Sequence, residues 1–208
     1  MKLIIALLFF IFCHFSIAQN KEELLVKKCF ENYKQAILAD QGENAIKFVD
    51  KKTINYYTKM LDKIKKADSL EVNSLGIIDK IMVLSIRHQA SKKEIQSMNG
   101  PGLLVYAIQK GMIGKSSVQR YRIGEVKLNG DMAKGQIVSG EQITPVYFDF
   151  NKEKGVWKID LTSVFSLGTI GFKQVLKKSG LKENEYLIQV LEQMNGKNPS
   201  AKIWNPSL

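Results

Sequence analysis

Residues 118–161 read VQRYRIGEVKLNGDMAKGQIVSGEQITPVYFDFNKEKGVWKIDL, and this stretch decides the fold. It holds four apolar-rich runs separated by turn chemistry. Asn129-Gly130 has the composition of a two-residue type I′ hairpin loop. Ser139-Gly140-Glu141 is a looser turn, and Asn151 to Gly155 is a charged loop that closes on glycine. Connections this short join only antiparallel neighbours, so the stretch predicts a four-stranded meander. In the first strand Tyr121 and Ile123 share a face, whereas Val126 and Leu128 fall on the other parity. The phase slips at Gly124-Glu125, the signature of a β-bulge, which bends a strand. In the third strand Val146, Phe148 and Phe150 oppose Tyr147 and Asp149. In the fourth, Trp157, Ile159 and Leu161 oppose Lys158 and Asp160. One face is therefore apolar and the sheet is curved. Pro145 predicts an edge position or the start of its strand.

Upstream the apolar period is that of helices. From Lys21 to Ala39, residues Val26, Cys29, Phe30, Tyr33, Ala36 and Ile37 recur at steps of three and four, and Asp40-Gln41-Gly42 stops the pattern. Glu43 to Lys66 repeats it, with Asp50 as an internal cap. Leu70 to Arg87 is apolar on most sides, as a covered helix is. Ser91-Lys92-Lys93-Glu94 has capping-box spacing, and Asn99-Gly100-Pro101 ends one helix and starts the next. Downstream, Val164–Lys178 and Lys182–Met194 read as two C-terminal helices, and Trp204 is placed to clip the tail. The expected fold class is α+β: N-terminal helices packed on a curved four-stranded antiparallel meander, with two C-terminal helices. A single domain is expected over residues 19–208, helical over 21–111, sheet over 116–161, helical over 163–195, with a tail at 196–208.

The first eighteen residues stand apart. Met1-Lys2 is a short basic start, Leu3 to Phe15 is almost unbroken apolar sequence, and Ser16-Ile17-Ala18 places small residues where a signal peptidase cleaves. A spanning helix needs roughly 20 apolar residues, which this run does not reach. The sequence therefore predicts a signal peptide cleaved after Ala18, a periplasmic or secreted address, and no transmembrane segment in the mature chain. Cys13 and His14 leave with it, so Cys29 and His88 remain as single representatives of their types. One cysteine forms no internal disulfide, and burial must hold the fold. Cys29, within an apolar stripe, reads as a small buried hydrophobe, and His88 as a surface or cap residue at a helix end.

Composition narrows the chemistry. There are 31 basic and 20 acidic residues, and cleavage removes only Lys2 from that balance. The lysines come in twos and threes without interleaved aromatics, which argues against nucleic acid and for a solvated face or an anionic envelope surface. No Cys-x-x-Cys or His-x-x-x-His occurs, so no metal site is expected, and no cofactor loop or Gly-x-Ser-x-Gly is present. Carboxylate acid–base chemistry remains open. Tyr121, Tyr147, Asp149 and Asp160 on the sheet are the candidate ligand-binding residues, or, in an enzyme, the oxyanion-stabilising and proton-moving groups.

Helices followed by a bulged meander whose last strand reads Gly155-Val156-Trp157-Lys158-Ile159-Asp160 resemble the nuclear transport factor 2-like, or ketosteroid isomerase-like, cone over roughly Leu24 to Leu161. The helices between Ser69 and Gly111, and the two after the sheet, exceed the minimal cone. The resemblance implies a pocket between the concave sheet face and the first helices. That architecture hosts isomerases, dehydratases and many non-catalytic binders, so fold alone does not choose. The expectation is an exported, non-catalytic binding or protein-interaction domain of the cell envelope, its partner a small apolar ligand or an envelope protein. The alternative is a cofactor-independent isomerase or dehydratase.

Overall fold

The computed structural model describes residues 2–207, and the side chains from Gln19 onward apart from those of Ser117 and Asn195. Cys13 and His14 thus lie outside the described side chains. The fold is α+β, with helices before and after a four-stranded antiparallel sheet in the order β1-β2-β3-β4. The chain groups into two compact units, each assembled from two separate stretches: residues 1–50 with 111–161, and residues 51–110 with 162–208. Among the described residues, no helix is long and apolar enough to cross a membrane.

The first unit holds α1 (Lys2–Leu38), the short α2 (Gly42–Ala45) with a 3₁₀ turn (Ile46–Phe48), and strands β1 (Tyr121–Asn129), β2 (Met132–Ser139), β3 (Gln142–Glu153) and β4 (Val156–Asp160). The apolar stripe read from the sequence is the buried face of α1: Val26, Cys29, Phe30, Tyr33, Ala36 and Ile37. It packs on the sheet face that carries Val126, Ala133, Phe150, Trp157 and Ile159, all buried. Gly135 and Ala133 are small there because Phe150 is large. A Cβ on Gly135 would stand 2.8 Å from Ile123 Cγ2 and from Phe150 Cε2. The β1–β2 register shifts between Ile123 and Val126, at the expected bulge. That shift returns Val126 to the α1 side, where strict alternation would have turned it outward.

The turns differ from their expected types. Asn129 pairs with Met132, so the first loop is Gly130-Asp131, one residue further on than expected. Its φ is positive at Gly130 alone, the sign pattern of a type II′ turn. Both central residues are positive instead at Lys154 (φ 50°) and Gly155 (φ 79°), between the paired Glu153 and Val156. The type I′ pattern therefore belongs to the charged loop. Pro145 lies in the part of β3 that runs past β4 and pairs only with β2, which is an edge position. The β2–β3 register shifts beside it. The Thr144 hydroxyl donates to the Ile137 carbonyl at 2.7 Å, supplying a donor where proline has none. The outer edge of β4 is covered in part by a parallel bridge from Val49 to Ile159, with Asp50 N–H donating to Ile159 O.

The second unit comprises α3 (Lys51–Lys66), α4 (Ser69–Ser74), α5 (Ile77–Gln89), α6 (Lys92–Ser97), α7 (Gly100–Gln109), α8 (Phe165–Ser179) and α9 (Glu183–Asn195), with a 3₁₀ turn at Ala201–Trp204. The long helix expected from Leu70 to Arg87 is two helices, broken at Leu75-Gly76 where the backbone turns extended. Helix ends are closed by side chains. Asp68, Ser91 and Asn99 each accept a first-turn backbone N–H, and Ser91 with Glu94 completes the expected capping box. Arg87 closes the other end of α3. Its Nε donates to Ile64 O and its Nη2 to Lys63 O and Ala67 O, while Nη1 reaches Ile203 O on the tail. The α3 carbonyls lie at and just beyond the helix terminus, where intrahelical donors run out, and Lys63 O is shared with the Ala67 N–H. The tail is held by Ile203, 4% exposed, and by Ser207 N–H donating to Lys65 O.

Candidate functional site

Sheet register brings three of the four candidate residues onto one face. Lys127, Lys134, Asp149 and Asp160 stand directly opposite one another, one per strand from β1 to β4. Direct partners project from the same side of a sheet. Tyr147 joins them, two residues before Asp149 on β3 and opposite Gln136. Tyr121 does not. It shares parity with Ile123 on the α1 side, it is half-buried, and its backbone carbonyl accepts from Lys34 Nζ at 2.8 Å.

The row alternates in pairs, two cations then two carboxylates. Its middle is an ion pair, Lys134 Nζ to Asp149 Oδ1 at 2.9 Å, exposed enough to contribute below about 1 kcal/mol. Lys127 lies over the Tyr147 ring, 5.3 Å from its centroid, a cation–π contact. Asp160 is only 1% exposed, and so is Asp50, which enters beside β4. Asp50 Oδ2 accepts from Asn151 Nδ2 at 2.8 Å, Asn151 being two residues along from Asp149. On the opposite face Glu22 of α1 accepts from Trp157 Nε1 at 2.7 Å and from Lys152 Nζ at 2.8 Å. The Lys152 hydrogen bond first, then that of Trp157, hold the Glu22 carboxyl below its ordinary pKa.

Two further titratable side chains are tied to neighbouring segments by hydrogen bonds. Cys29 donates to Phe48 O, and burial pushes its thiol up to about 12, which keeps it protonated and inert. Tyr56 of α3 donates to Asp79 of α5 at 2.6 Å, and burial, then that bond, raise its pKa. Among the described residues no three His, Cys, Asp or Glu side chains gather as a metal site.

Sequence reasoning missed the concavities of the second unit. One of about 630 Å³ is lined by Lys51, Lys52, Asn55, Tyr56, Lys59 and Thr162. Another, of about 270 Å³, lies between the end of α5 and the tail, with Arg87, His88, Lys92 and Lys202 on its wall. A third sits beside Gln174, Lys177 and Lys178. Among the described residues, no aspartate or glutamate lines any of the three. The signal was present for the first: Lys51, Lys52, Asn55, Tyr56 and Lys59 follow helical steps of one and four residues. Comparison of the sequence with protein-family models and curated proteins, and of the fold with solved structures, gives no match.

Proposed function

We propose that the chain is an exported, non-catalytic binding module of the cell envelope whose partner is acidic. The observation that carries this reading is the wall chemistry of the second unit's concavities, with Lys51, Lys52 and Lys59 on one, Arg87, Lys92 and Lys202 on another, and no aspartate or glutamate among the described residues of any. Carboxylates, with histidine the commonest general bases, are missing from the described residues of these walls, and the one imidazole is His88 on the second. A lysine-lined wall instead supplies fixed positive potential, which attracts and holds anions. The lining moves the expected ligand from apolar to acidic. The exported address rests on Leu3–Phe15 with Ser16-Ile17-Ala18.

Citrate and inorganic phosphate serve as probes. The purified chain should gain melting temperature with citrate, more than with equal added ionic strength from chloride, and K51Q/K52Q/K59Q should lose that gain. A gain that survives the triple substitution, or no gain at all, overturns the reading. N-terminal sequencing of the chain recovered from the periplasm should begin at Gln19.

One observation favours a second reading. Asp149 and Asp160 are direct cross-strand partners with Tyr147 on the same face, the residue types of a cofactor-independent isomerase or dehydratase. That reading requires pH-dependent turnover that Asp149→Asn or Asp160→Asn abolishes.

A further inference from the structure

Helix α8 departs from the other helices of its unit. Its inward row is Phe165, Thr169, Phe172 and Leu176, spaced four, three and four residues apart, and each is half-buried. Phe165 meets Tyr56 edge-on, ring centroids 4.9 Å apart. A surface helix of a globular domain ordinarily carries polar residues on its outer side. Here Leu167, Ile170 and Val175 stand out to solvent at 42%, 54% and 51% exposure.

The charge on α8 is one-signed. Lys173, Lys177 and Lys178 are exposed, and no aspartate or glutamate occurs in its 15 residues. Lys177 and Lys178 in the last turn complement the helix dipole, which accounts for two of the three lysines. It does not account for Lys173, for the missing acids or for the outward apolar side chains. Other helices of the unit mix signs: α3 pairs Lys66 with Asp62 at 2.6 Å, α5 carries Asp79 with Lys80 and Arg87, and α6 carries Glu94 with Lys92 and Lys93, while α9 is one-signed the other way, with Glu183, Glu185 and Glu192.

We infer that α8 is a peripheral docking helix for an anionic lipid surface. Leu167, Ile170 and Val175 enter the boundary between headgroups and acyl chains, while Lys173, Lys177 and Lys178 meet the anionic headgroups. Buried apolar area and electrostatic attraction add in such binding. Charge complementarity selects this occupant: a second copy of the helix would bring six cations and no anion to one seam. Lys177 and Lys178 also line the third concavity, but the inference uses none of the cavity lysines on α3, so it and the acidic-ligand reading at that wall fail separately.

Co-sedimentation of the full chain with vesicles tests it, every comparison keeping residues 1–18 in common. The chain should partition onto vesicles of equal parts phosphatidylglycerol and phosphatidylcholine, weakly onto phosphatidylcholine alone, and less as salt rises. Each lysine near an anionic surface strengthens partition roughly fivefold, so K173Q/K177Q/K178Q should weaken it by on the order of a hundredfold. L167S/I170S/V175S should also release the chain, while K51Q/K52Q/K59Q should stay bound. Melting curves by circular dichroism establish that the variants fold. If the serine variant does not fold, the glutamine variant decides alone. Partition of the glutamine variant within threefold of the unmodified chain overturns the inference. So does equal binding to neutral vesicles, or a chain that ignores vesicles and whose oligomeric mass changes with the serine variant.

Discussion

The two units achieve order by different means. In the first, information lies in register: which residue faces which across β1 to β4, corrected by a bulge at Gly124-Glu125 and by turns that place Gly130 and Gly155 at positive φ. In the second, it lies in helix ends. Two of the helices, α4 and α6, have only six residues each, and short helices are marginal unless packing and caps complete them. Asp68, Ser91, Asn99 and the Arg87 guanidinium do that. A register error turns a whole strand inside out, whereas a lost cap frays one turn. The two units should therefore respond to substitution on different scales, and each contains one of the chain's two tryptophans, Trp157 and Trp204.

The largest effect is expected at Phe150, fully buried between Ala133 and Ile159 in its cross-strand row. Phe150→Ala leaves a cavity that Ala133 and Gly135 cannot fill, at a cost of about 3–5 kcal/mol. Urea unfolding followed by Trp157 fluorescence in a Trp204→Phe background measures it. The converse background, Trp157→Phe, reports the second unit under the same substitution. An equal shift there means the units unfold together, and no shift means they unfold separately. A loss below about 1 kcal/mol at Trp157 would break the claim that register is anchored at this row.

Next comes Arg87. Burial lowers its pKa, yet the guanidinium stays charged. Arg87→Ala leaves carbonyls of Lys63, Ile64, Ala67 and Ile203 without this donor, for a loss of about 2–3 kcal/mol. Trp204 fluorescence should change first, being next to Ile203. Arg87→Lys keeps the charge but not the planar fork, so it should recover less than half of the loss. Full recovery would mean that charge, not geometry, closes the end of α3.

Much of the first unit was legible because period-two sequence reports parity directly. The bulge was visible as Val126 and Leu128 falling out of phase with Ile123, and Pro145 announced an edge. The turn types were less legible. Asn129-Gly130 has ideal composition for type I′, but pairing of Asn129 with Met132 shifts the loop onto Gly130-Asp131 and leaves that geometry to Lys154-Gly155. The break at Leu75-Gly76 was hidden because apolar residues continue through it. Which helices cluster with which was not legible at all, since local periodicity carries no information about partners distant in sequence. For the candidate site, parity already put Tyr121 with Ile123, away from Tyr147 and Asp149. The ion pair and the buried Asp50 required register between strands and a segment a hundred residues away.

A smaller effect separates caps from core. Ser91→Ala removes the acceptor for Glu94 N–H, while Glu94 loses the hydroxyl that donates to its carboxylate at 2.7 Å. The cost should be about 1 kcal/mol, seen by Trp204 in the Trp157→Phe background. Ser91→Asp keeps an acceptor and should restore most of it. A loss as large as that of Phe150→Ala would erase the difference in scale between the units.

The smallest effect is a pH dependence at Glu22. Its carboxylate holds Lys152 and the Trp157 indole, and its pKa is lowered in the folded chain. A carboxyl with a depressed folded pKa adds stability that is fully present above its unfolded value and is lost as pH falls through the folded one. The stability difference between the unmodified chain and Glu22→Gln should therefore be constant from neutral pH down to about 5 and shrink below about 4.5. With both partners partly exposed, it should stay below about 1 kcal/mol. Cleavage after Ala18 would place Glu22 in the first turn of the shortened helix, where the dipole favours a negative charge. The chain recovered from the periplasm should then lose this stability at lower pH than the full-length chain. Identical profiles in the two forms would show that Lys152 and Trp157 alone set the ionisation of Glu22.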